Sequence, residues 1–232
     1  MLFDMWDYIQ SGNYAMLFIR IASLLFVVFC TMPVHEYAHA WMAVKLGDDT
    51  PRLSGRLTLR PMAHIDPIGA AMIFIVGFGY AKPVRVNMYN LKNGRKSFAL
   101  VALAGPVSNI IMAFLFLLVK SIVDAFYIKL NFAYSIYMVL AYFLVFAASI
   151  NVSLAVFNLI PIPPLDGSRI LNLILPEKYY YKIMRYERYI MIGMFLLLWT
   201  GILSTPLSWL SNAAYNGLNY IARLPFTLIG WL

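Results

Sequence analysis

The chain has 232 residues, 62% of them hydrophobic and only 12% charged, with a formal net charge of +8. A soluble domain carries about twice that charged fraction, so the composition excludes one and predicts an all-α polytopic membrane protein, a single integral domain over 1–232. Nucleic acid is excluded as a partner as well, because the basic residues flank apolar runs instead of forming a stripe, which points to topology and anionic lipid headgroups.

Asp4 and Asp7, not basic residues, lead the first apolar stretch, which is therefore not read as a cleavable signal. From Ala15 to about Lys45 the pattern predicts one long helix, apolar except for Arg20 and the run His35-Glu-Tyr-Ala-His39. Gly47 is its expected stop, and Pro33 an expected kink. Cys30 is the only cysteine, which rules out an intrachain disulfide and leaves the redox compartment open.

Residues 48–64 change character. Asp48-Asp49-Thr50-Pro51 reads as a turn, and Leu53, Leu57 and Leu59 alternate with Ser54, Arg56, Thr58 and Arg60. That period predicts a short strand or hairpin at the membrane surface. Residues 65–80 are apolar but short for a span and broken by Pro67, Gly69, Gly77 and Gly79, so a re-entrant segment or buried strand pair is expected. After the basic stretch 81–96, a second span covers about Ser97 to Val119 and can continue past Lys120. A third runs from about Tyr134 to Ile160 and breaks at Pro161, Pro163 and Pro164. A fourth runs from about Tyr189 into the 200s. Residues 206–232 fit either an interfacial helix or a fifth span.

Orientation follows from the basic residues. Nine Lys and Arg lie in 45–96 and five more in 169–188. With both regions in the cytoplasm, three spans thread consistently and 65–80 must enter and leave on one side. His35 and the segment after Pro164 then both lie at cytoplasmic helix ends, where they can meet.

His35 and His39 carry the chemistry. Imidazoles four residues apart on a helix lie about 40° apart around its axis, so both can reach one metal ion, with Glu36 beside them to touch a water. The bland alternative is a pair of buried histidines bonded to backbone carbonyls. Ionisable groups at membrane depth carry a desolvation cost of several kcal/mol, which favours a bound cation. A catalytic zinc needs a third protein ligand. His64 is the only other histidine, and Asp166 is the best candidate. The prolines that end the third span present it on an extended segment, and Gly167 allows close backbone approach. Taken alone, Asp166 reads equally well as a helix N-cap; taken with the histidines, it reads as a ligand.

His35-Glu36-x-x-His39, Gly105-Pro-Val-Ser-Asn109 and Leu165-Asp166-Gly167 together resemble the site-2 protease family, peptidase family M50. The similarity covers about residues 15–175 and includes Gly55-Arg-Leu-Thr-Leu and His64-Ile-Asp-Pro-Ile-Gly69. It implies an intramembrane zinc metalloprotease with a three-helix catalytic core over about 15–175, followed by C-terminal helices over about 178–232. One Zn2+ per chain would be held by His35, His39 and Asp166, with Glu36 as general base. The substrates would be transmembrane proteins cut in or near their spans, in a cell membrane, with the active site toward the cytoplasm. Most of the stretch between Gly105 and Asn158 is span, so the PDZ insert of larger members is not expected. Oligomeric state is not legible.

Several residues keep two readings. Asn158 either orients substrate and water or bonds a neighbouring helix, and His64 either stabilises an oxyanion or caps its loop. Gly105 and Asn109 fit close helix approach better than chemistry. Gly55, Arg56, Leu57, Thr58 and Leu59 are read either as a template that captures an unwound substrate by strand addition or as a covered edge. Two rival functions stand beside proteolysis: a membrane metal-binding or transport protein, and an inactive scaffold of the same family. A transporter should carry ionisable groups through several spans, whereas here they cluster at one depth. A scaffold has no need of Glu36.

Overall fold

Backbone that meets lipid must satisfy its polar groups internally, and a chain this apolar does so with helices. A computed structural model describes residues 2–69, 81–130 and 133–231. Its helices are α1 (Leu2–Gln10), α2 (Tyr14–Lys45), α3 (Arg95–Leu130), α4 (Tyr134–Asn158), α5 (Asp166–Ile174), α6 (Glu177–Arg185), α7 (Glu187–Trp199) and α8 (Ser204–Leu228). Among the described residues, α2, α3 and α4 are long and apolar enough to cross a membrane.

The Asn13 side chain starts α2 by accepting the Met16 N–H at 3.3 Å, and Gly47, at φ +110°, lies just past its end, where the stop was expected. Pro33 cannot donate to the carbonyl four residues back. Ahead of it the helix widens into one π-turn over Val27–Thr31, where the Met32 N–H reaches the Val27 carbonyl. The expected kink is therefore a local change of helical pitch.

The three long helices pack through alanines set among Leu, Val and Ile, and the alanines let backbones approach closely where lipid offers no hydrophobic drive. Leu24, Val27 and Val28 of α2 meet Ala147 and Ile150 of α4. Ala113 and Leu117 of α3 meet Ala148, Val152 and Val156 of α4, and Ala222 of α8 closes the same cluster. At one end of α8, Leu207 packs near Phe157 and Leu165. Beyond its other end, Trp231 meets Phe126 of α3 with ring centroids 6.5 Å apart. The stretch 206–232, read two ways from sequence, is thus largely a helix running the length of the bundle.

Two expectations are corrected. The fourth span from Tyr189 is α7, only 13 residues long. At 1.5 Å per residue it reaches about 20 Å, short of the roughly 30 Å hydrocarbon core. It packs through Met194 against Phe157 and Leu165 at the end of the bundle.

The second correction concerns Leu53–Leu59, which forms no strand. Asp48 accepts the Thr50 N–H (3.1 Å) and hydroxyl (2.5 Å), so Thr50–Leu53 closes a helical turn with Pro51 in its first turn. Gly55 at φ +69° then reverses the chain. The Arg56 N–H bonds the Pro51 carbonyl at 2.8 Å, and its guanidinium bonds the Ala63 carbonyl. Turn chemistry outweighs the period-two pattern, and Leu53 and Leu59 are left exposed.

Of the expected re-entrant segment, residues 70–80 lie outside the described residues. Its two ends are side by side. Ile65 and Ala81 form an isolated antiparallel bridge, and the Lys82 N–H donates to the His64 carbonyl at 2.7 Å.

Candidate metal centre

The last turns of α2 bury His35, Glu36 and His39 to below a tenth exposure against α3. Gly105 makes that approach possible. A Cβ on it would stand 2.3 Å from His39 Nε2 and 2.5 Å from His35 Cε1, so any side chain would collide with the rings. The expectation that Gly105 serves close approach holds, and what it approaches is the imidazole pair. The third contributor arrives on the irregular link after α4, whose prolines end that helix and deliver Asp166 as the first residue of α5. Gly167 seats the link, since a Cβ there would lie 2.3 Å from the Leu159 carbonyl oxygen.

The three ligand atoms converge. His35 Nε2 and His39 Nε2 are 3.1 Å apart, and Asp166 Oδ2 lies 3.3 Å from the first and 3.2 Å from the second. A tetrahedral zinc with bonds of 2.0–2.1 Å sets its ligands about 3.3 Å apart, so this triangle has the size that zinc requires. The His39 Nδ1–H donates to the Val101 carbonyl at 2.7 Å, which fixes the tautomer and turns the Nε2 lone pair toward the other ligands. One oxygen and two nitrogens, with a fourth side open, suit a catalytic zinc.

Gly105 lies ten residues into α3 from Arg95, so the triangle sits about 15 Å in from that helix end. It opens into a cavity of about 460 Å³ walled by the apolar Ala81, Pro83, Val84 and Val86 and by polar side chains. Glu36 lies in that wall, and among the described residues its carboxylate has no hydrogen-bond or ion-pair partner.

Of the residues singled out from sequence, His35, Glu36, His39 and Asp166 come together and Asn158 joins them in the cavity wall. His64 does not. It is fully buried and its ring Nε2 bonds the Thr58 carbonyl at 2.7 Å, so it pins the 58–64 loop. Gly55, Arg56, Leu57, Thr58 and Leu59 also lie away from the cavity wall.

Sequence reasoning did not single out Asn109 as a wall residue, nor Arg169, Glu187 and the extended stretch Ala81–Val86. Arg169 was findable, being one helical turn past Asp166 on the same face. Its guanidinium lies over the Phe98 ring at 5.3 Å. Glu187 comes from α7 and had no local signal. Asp48 was read only as a turn residue. Fully buried, it also accepts the Asn87 N–H (2.7 Å) and the Asn90 amide (3.0 Å), tying the end of α2 to the segment that follows Val86 of the cavity wall.

Comparison with known proteins agrees with this geometry. The family model described as peptidase family M50 matches residues 22–200. YwhC of Bacillus subtilis is 38% identical over 186 residues, covering 80% of this chain and 84% of that protein. Rip2 of Mycobacterium tuberculosis is 33% identical over 165 residues, covering 68% of this chain and 58% of Rip2. MJ0611 of Methanocaldococcus jannaschii is 29% identical over 105 residues, 45% of this chain and 49% of that protein. Each bears a name that proposes a zinc metalloprotease. No solved structure matches the chain. With a metal-sized His-His-Asp triangle recessed among membrane-spanning helices and a family match over most of its length, the chain belongs to peptidase family M50, the site-2 protease family of intramembrane zinc metalloproteases.

Proposed function

We propose that His35, His39 and Asp166 hold one zinc ion, that Glu36 is the general base, and that the substrates are membrane proteins cut in or near a transmembrane segment. The observation that carries this reading is the ligand triangle of 3.1–3.3 Å edges beside a buried carboxylate that has no hydrogen-bond partner among the described residues. Held by these three residues, zinc would supply Lewis acidity for the hydrolysis. Glu36 takes the proton of the attacking water and returns it to the leaving amine. The hydrogen bond from His39 to Val101 keeps the ring from swinging away, and Asp166 supplies the negative charge that makes a buried cation tolerable.

A substrate helix must unwind before its carbonyls can be attacked. Among the described residues, Ala81–Val86 has no ladder partner beyond the Ile65–Ala81 bridge, and it walls the cavity, so it is better placed than Leu53–Leu59 to receive an extended peptide as an added strand. Asn158 in the same wall orients that peptide, and His64 holds the loop beneath. The basic stretches 45–96 and 169–188 favour a cytoplasmic active site in a cell membrane.

The test is hydrolysis of a generic transmembrane peptide by the purified chain in detergent. Cleavage should stop on chelation and return with zinc. Glu36→Gln should keep one zinc per chain while turnover falls by about 10²–10⁴. Full turnover by that variant, or cleavage indifferent to chelation, overturns the assignment.

A further inference from the structure

Asn109 is 2% exposed and lies in the wall of the metal cavity. Its Oδ1 is buried without a hydrogen-bond partner, and among the described residues neither end of its carboxamide is engaged by the protein. Of the described residues with orphaned buried side-chain atoms, only Asn109 and His35 line this cavity. His35 has its role in the ligand triangle. Asn109 has none. A buried amide left unpaired costs about 1–3 kcal/mol, so a polar partner is expected in the working protein.

The position of Asn109 defines that partner. It lies four residues, one helical turn, beyond Gly105, on the face of α3 that touches both imidazoles. Helix α3 runs inward from its Arg95 end, so Asn109 lies about 6 Å deeper in the bundle than the histidine pair. A substrate helix opened at this depth exposes peptide N–H and C=O groups that hydrocarbon cannot pair, each costing several kcal/mol if left unpaired there. A carboxamide offers the matching set, an acceptor for the N–H and a donor for the C=O.

Building on the proteolytic reading above, we infer that the Asn109 side chain binds one peptide unit of the unwound substrate, on the bilayer-interior side of the scissile bond. It is then a substrate-binding residue that compensates for hydrogen bonds lost when the substrate unwinds. The ligand class is an extended polypeptide backbone, read without regard to side chain.

The experiment is a cycle between enzyme and substrate, in the Glu36→Gln background so that binding is read without turnover. A fluorescent transmembrane peptide is prepared with its amides replaced singly by esters near the cleavage site, each ester deleting one N–H donor. The parent protein should bind one of these esters about tenfold more weakly than the all-amide peptide. Asn109→Leu should bind the all-amide peptide about tenfold more weakly, and that same ester with no further loss. Zinc content should stay at one per chain, and Asn109→Ala should repeat the pattern. Unchanged affinity in Asn109→Leu, equal losses on every ester in both proteins, or loss of zinc would each overturn the inference. A chain active at Glu36 that cuts peptides yet shows no such coupling defeats this inference alone, whereas a chain that cuts none defeats the proteolytic reading with it.

Discussion

The two ends of the helical bundle treat polar groups in opposite ways. At the end remote from the metal centre, Lys120 donates to Asp124 at 2.6 Å, the Tyr137 hydroxyl donates to the other oxygen at 3.2 Å, and the Tyr127 and Tyr137 rings stack at 4.0 Å. At the metal end, Glu36 and Asn109 are buried with no hydrogen-bond partner among the described residues. Both arrangements cost desolvation, but only the first recovers it within the protein. The contrast separates polar residues that hold helices together from those that wait for an ion or a substrate.

Removing a ligand tests the metal end most severely. Asp166→Ala should lose zinc binding and all measurable cleavage, while the helical content read by circular dichroism persists. Gly105→Ala comes next. Its methyl group would press on both imidazoles, and the expected result is at least a tenfold drop in zinc affinity, read by competition with a chromophoric chelator.

The paired end should answer differently. Asp124→Leu strands Lys120, which is only partly exposed, and should lower stability by about 3 kcal/mol while zinc stoichiometry stays at one per chain. Adding Lys120→Met should recover most of that loss in thermal unfolding. If the single change instead removed zinc, the two ends would not be independent.

The smallest effect concerns Asp48. Burial acts to raise its carboxyl, but hydrogen bonds from Thr50, Asn90 and Asn87 outweigh it and leave the group below its ordinary value. A depressed folded-state pKa gives stability that is fully present above the unfolded value near 3.9 and lost as pH falls through the folded one. Asp48→Asn should thus be less stable than the parent at pH 7 by about 1 kcal/mol, with the gap narrowing below about pH 4. Unfolding midpoints of the two proteins across that range check this.

What could be read from sequence divides along physical lines. The long helices and the His35–His39 pair follow from local periodicity and spacing, which act within a few turns. Asp166 was reachable because prolines and Gly167 mark a chain that stops being helical beside a polar residue. Leu53–Leu59 misled because alternation says nothing about the hydrogen bonds of Asp48 and Arg56, which close turns there. The Tyr189 segment misled because apolarity does not fix where a helix ends. Asn109 was visible as part of a helix-packing motif, but its unpaired carboxamide appears only once three helices are in place. Glu187 enters the cavity from α7 through tertiary packing alone.

The π-turn of Val27–Thr31 lets one stretch of chain serve two directions. One residue more in a turn sets everything after it back by about 100° around the axis relative to an unbroken α-helix. Leu24, before the turn, and Val27 and Val28, at its start, dock on α4; downstream, His35 and His39 look toward α3 and Asp166. In an unbroken α-helix of the same sequence, the first docking would carry both rings about 100° away from their carboxylate; only a turn that holds one residue more keeps both contacts. The geometry of coordination is therefore written partly in a count of residues well upstream of the ligands themselves.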